Sequence, residues 1–165
     1  MTTRSLVVYP DSRLRAPAAI VTAFDAALAG LAADLLDTMH AAHGIGITGP
    51  HIGVAQRIVV LELPETPASQ IYVNPKIVWS SNETIQHDEG SVSMPGVLER
   101  VARAAAVRVC YNDLDGQEHR EEAEGLRAVC HQHEIDQLNG IFWIDRLSRL
   151  KRERVIARFA KLGRR

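Results

Sequence analysis

The order of its hydrophobic periodicities constrains this chain most: helical spacing near both ends, and a strand-rich block between them. Phe24, Leu28, Leu31, Leu35 and Met39 recur at helical spacing and predict a helix over about 21–42, with Gly44 placed as a left-handed cap. RIVVLELP (57–64), QIYVNPKIVW (70–79) and ETIQ (83–86) are rich in β-branched residues and broken by Pro and Asn, so they read as strands. AAAVRVCYNDLDGQEHREEAEG adds two strands joined at Asp115-Gly116, a strong hairpin cue. Further helices are expected over about 126–138, stopped by Gly140, and about 148–162, with Ser148 as N-cap. Helices flanking mostly antiparallel strands predict one α+β domain over residues 1–165.

Composition narrows the class. No apolar run approaches the roughly 20 residues that span a membrane, and the N-terminal stretch lacks a secretory apolar region, so a cytoplasmic location is expected. Cys110 and Cys130 are too few for a disulfide framework. Net charge is −1, yet Asp145–Arg165 holds nine Lys/Arg against two Asp/Glu. A basic tail on an acidic body can orient toward a polyanion, although a solvated helix face has the same composition.

Two stretches carry chemistry. GIGITGPHIG (44–53) suits an irregular loop with close backbone approach; its glycine spacing and lack of Lys-Ser/Thr fit a phosphate loop poorly. In HQHEIDQLNG (131–140), His133-Glu134-Ile135-Asp136-Gln137 is one residue from His-Glu-x-x-His, whose histidines share a helix face and grip one cation. Leu126, Val129 and Cys130 form the apolar stripe of this helix, and His133 and Gln137 continue it. A satisfied core histidine beside an exposed glutamate is the structural alternative.

GIGITGPHIG, EGSVSMPG (89–96) and HQHEIDQLNG resemble, in order and spacing, the three signature motifs of peptide deformylases. YPDSRLR, AEGLRAV and GIFWIDRLS extend the likeness over nearly the whole chain. The resemblance implies a deformylase-like α+β domain, mostly antiparallel strands around a central motif-bearing helix. It also implies a divalent metal, Fe or Zn, held by the second-motif cysteine and both third-motif histidines. In that family the metal-bound water attacks an N-formyl group with the third-motif glutamate as base. The resemblance implies that the formyl-peptide lies along the loop backbone as an added strand.

Carried over residue by residue, His133 matches the first histidine and Glu134 the base. Ile45, Gly46 and Gly90 match peptide-holding backbone, and Val92 supplies the oxyanion N–H. Ser91 stands at the cysteine position, Gln137 at the second histidine, and His51 at the oxyanion-binding glutamine. Thr48 and Gly49 replace paired alanines, and Leu98 an arginine that holds substrate. A hydroxyl and an amide are weak ligands for Fe²⁺ or Zn²⁺, and two such losses cost about 5–8 kcal/mol of metal affinity. The expectation is therefore a deformylase-like protein with weak or no activity and metal absent or weakly bound, holding peptide N-termini in the groove. The alternative is an active amide hydrolase with a rearranged metal site on His51 and His133. The resemblance further implies a ribosome contact through the basic C-terminal helix, with no sequence-specific nucleic-acid binding and no membrane.

Overall fold

The computed structural model describes residues 2–164. Helix α1 spans Ala26–Ala41 and is capped by Asp25, whose carboxylate accepts from the Leu28 N–H at 3.0 Å. It starts later than its periodicity predicts. The Val21 N–H donates to Asn74 Oδ1 (2.8 Å) and its carbonyl accepts from Asn74 Nδ2 (2.9 Å), so that segment is tied to a strand instead. Its end also differs: His43 takes the left-handed conformation (φ 55°), not Gly44. Gly44 is needed for space, since a Cβ there would lie 2.8 Å from Val92 Cγ1.

The expected loop over 44–53 is more regular than its glycines suggest. It forms strand β1, Gly46–Thr48, and a 3-10 turn, Gly49–Ile52, closed by Gly53 at φ 77°. Strands β2 (Ile58–Leu61), β3 (Gln70–Ser80), β4 (Thr84–Ser91), β5 (Met94–Ala104), β6 (Ala106–Asn112) and β7 (Glu118–Glu124) follow. The antiparallel order β1-β2-β3-β6-β7 makes a five-stranded sheet, and β4-β5 a separate two-stranded hairpin. β3 runs through Asn74-Pro75 with its register shifted between Val73 and Lys76; Asn74, at φ 50°, absorbs the irregularity. The β6–β7 hairpin forms at Asp115-Gly116, with Gly116 at φ 83°.

Helix α2 (Gly125–Leu138) lies against both sheets and α3 (Arg149–Leu162) against β5. The period-2 alternation of β2 decides the layers. Ile58 and Val60 pack under α1, whereas Val59 and Leu61 face the Cys130–Leu138 side of α2. A further core, with Met94, Val97, Val101, Trp143 and Val155, joins the hairpin to α3. The result is the α+β architecture expected, with the motif helix central.

Candidate active site

A cleft of about 570 Å³ opens between β1, the β4–β5 hairpin and α2. β1 is an end strand of its sheet. The Glu62 N–H donates to the Ile45 carbonyl (2.9 Å), so by antiparallel alternation Gly46 turns its own N–H and C=O away from β2. Gly46 is also where the helix comes closest: a Cβ there would stand 2.5 Å from Glu134 Oε1 and 2.9 Å from Leu61 Cδ2. The missing side chain lets the Glu134 carboxylate reach the sheet edge.

Glu134 is buried, and its Oε2 has no hydrogen-bond partner among the described residues. Burial pushes its carboxyl up to about 7, opposed by His133 and reinforced by the charge of Glu89. His51, from the 3-10 turn, is 1% exposed. The Thr48 N–H donates to its Nδ1 at 2.9 Å, which fixes the neutral ring with the proton on Nε2. That Nε2 is buried and has no hydrogen-bond partner among the described residues. Burial and then the charge of His133 hold His51 down at about 3. The 4.0 Å separation of its Nδ1 from Glu134 Oε2 is therefore no ion pair.

His133 is oriented from behind. Its Nδ1–H donates to Glu89 Oε1 at 2.8 Å, leaving Nε2 on the opposite edge of the ring. Arg103 grips Glu89 with two hydrogen bonds of 2.8 Å and reaches Asp136 at 2.6 Å; Arg146 clasps Asp136 at 2.8 and 2.7 Å. Burial raises the Glu89 carboxyl, but the Arg103 and His133 bonds overcome this and hold it at about 2. On His133, burial works downward, and the Glu89 bond and the two nearby carboxylates raise it on balance.

The other expected ligand positions look elsewhere. Ser91 lines the cleft, and its Oγ accepts from the Ser93 N–H at 3.0 Å across the hairpin turn. Gln137 is 2% exposed and donates from Nε2 to the Leu14 carbonyl at 2.7 Å; it does not line the cleft. Cys130 does, but burial, then the charges of Glu134 and Glu89, push its thiol up to about 12. Among the described residues, no three His, Cys, Asp or Glu side chains are grouped so as to hold a metal ion.

A polypeptide deformylase family model matches residues 3–153. The chain belongs to the polypeptide deformylase family. A peptide deformylase-like protein of Bradyrhizobium diazoefficiens is 64% identical over 99% of this chain and 96% of its own length. The same organism has a peptide deformylase 38% identical over 100% of this chain and 99% of its own. The crystal structure of a Legionella pneumophila peptide deformylase superposes with TM-score 0.93 at 38% identity, covering 99% of this chain and 96% of that one.

Of the positions carried over from the deformylase motifs, Ile45, Gly46, His51, Gly90, Ser91, Val92, His133 and Glu134 line this one cleft, and Leu98 stands at it 60% exposed. Sequence reading missed the Glu89–Arg103–Asp136–Arg146 chain behind His133. Glu89 and Asp136 sit inside the deformylase-like motifs, but Arg103 and Arg146 carry no local signal of burial or pairing. Among the described residues, no helix is long and apolar enough to cross a membrane.

Proposed function

We propose that this deformylase-family chain binds peptide N-termini in the β1–hairpin cleft with weak or no deformylase activity. The observation that carries the reading is the engagement of Gln137 with the Leu14 carbonyl, which leaves His133 the one imidazole at the three family ligand positions. Ser91 offers a protonated hydroxyl already accepting from the Ser93 N–H. This donor set does not fit a divalent transition metal, which prefers thiolate and imidazole. The family's metal-bound nucleophile therefore has no place in the chemistry here. What this chain's residues supply is binding. The outward N–H and C=O of Gly46 can pair with an extended peptide as a further strand, while the Val92 N–H and the His51 Nε2–H donate to a carbonyl.

The greater identity to the deformylase-like relative than to the deformylase of the same organism supports the reading. So does the continuity of the cleft with the sheet edge. The basic helix α3 is proposed to contact ribosomal RNA or another polyanion. A second reading is a metal-dependent amide hydrolase rearranged around His51 and His133, which line the same cleft. Formyl-Met peptide turnover, measured with added Fe²⁺ or Zn²⁺, separates the two. The first predicts weak formate release or none, unchanged by His51→Ala in its metal dependence, and the second predicts strong metal-dependent release abolished by His51→Ala.

A further inference from the structure

Glu134 is the carboxylate at this cleft whose buried Oε2 no hydrogen bond answers among the described residues; the charge of His133 reaches it only through space. Glu89 is answered by Arg103 and His133, and Asp136 by Arg103 and Arg146. Among the described residues Glu134 Oε2 has no hydrogen bond, and the nearest basic atom, His51 Nδ1 at 4.0 Å, is an acceptor of the Thr48 N–H. Leaving a buried carboxylate oxygen bare is costly, and the cost falls when a ligand brings the missing donor. His51 Nε2 is the complementary atom, a buried donor with no acceptor among the described residues. Both side chains are more than nine-tenths buried and both line the cleft, at the point where Gly46 opens the edge of β1.

A ligand that satisfies both atoms carries a strong donor and, a bond or two away, a carbonyl. The first residue of an unmodified polypeptide has this pattern: an α-ammonium, then its own C=O. We infer that the cleft selects peptides with a free α-amino terminus, the ammonium donating to Glu134 Oε2 and the first carbonyl accepting from His51 Nε2–H. An N-formyl peptide presents one neutral N–H instead, which answers the carboxylate less well because it brings no charge. The preferred ligand is thus what hydrolysis of an N-formyl group leaves, so a formyl-removing reaction must supply it. This inference rests on the reading that the cleft holds peptide N-termini.

The test uses one fluorescently labelled peptide beginning Met-Ala-Ala with its N-terminus free, formylated or acetylated, titrated by anisotropy against the full chain. The free amine should bind about ten- to a hundredfold tighter than either blocked form, the span expected of one charge-assisted hydrogen bond. Glu134→Gln, nearly isosteric, should abolish that preference while leaving the blocked peptides little changed. Formylated peptide binding as tightly as free peptide would overturn the inference and leave the groove reading standing. Absence of binding by all three forms would overturn both. The peptide series decides the matter with the unaltered protein even if the variant does not fold.

Discussion

At the residue scale, the site depends on groups that are small or already committed. Gly46→Ala should push the Glu134 carboxylate off the sheet edge, because its Cβ would meet both Oε1 and Leu61. The expected outcome is loss of peptide binding by about tenfold or more, with about 1–3 kcal/mol of destabilisation from overpacking, read by peptide anisotropy and by urea melts. Gln137 makes the converse point. Its motif identified it as a ligand position, and nothing local revealed that its amide holds Leu14, 123 residues away in the chain. Gln137→Leu should leave that carbonyl unsatisfied and cost about 1–3 kcal/mol by denaturant midpoint. The cleft-lining positions were thus legible from motif spacing. The occupation of their polar atoms was not, because it depends on partners brought in by the fold.

Among the elements, the least legible was β5, which was not anticipated at all. Its inward face runs Val97, Glu99, Val101, Arg103, so two charged residues interrupt the apolar alternation that marks a half-buried strand. Arg103 is tolerated inside because it answers Glu89 and Asp136 together. Arg103→Leu should therefore cost about 3–5 kcal/mol, since it leaves two carboxylates facing each other's environment without their shared cation. It should also loosen His133, visible as a changed imidazole NMR titration. The central helix was readable to within a residue because Gly140 (φ 77°) and the Leu126–Val129–Cys130 stripe are both local signals. Helix α3 was equally readable, but its role in the core was not: Val155 is fully buried against the hairpin. Deleting it would strip core as well as charge. The polyanion contact is better tested by Arg154→Glu with Lys161→Glu, both exposed, which should weaken low-salt ribosome co-sedimentation without lowering thermal stability.

For the molecule as a whole, the α+β class followed from the order of periodicities, whereas the division into a five-stranded sheet and a separate hairpin did not. That division is fixed by long-range pairing, and it makes the cleft. Stability should depend on acid through groups such as Glu121. Burial raises its carboxyl, but bonds to His131, Arg127 and Tyr72 hold it at about 2 in the fold against an ordinary value of 4.5. A carboxyl depressed in this way stabilises the fold above its unfolded value and loses that contribution as pH falls. Urea midpoints should therefore be insensitive to Glu121→Gln at low pH but reduced by it above about pH 5. The central claim concerns the absent ligands, and restoring them tests it most directly. Metal content after equilibration with Fe²⁺ or Zn²⁺ and desalting should stay well below one equivalent in the unaltered chain, and approach one in Ser91→Cys with Gln137→His, whose side chains return thiolate and imidazole to His133. One equivalent in the unaltered chain, lost on His133→Ala, would contradict the account.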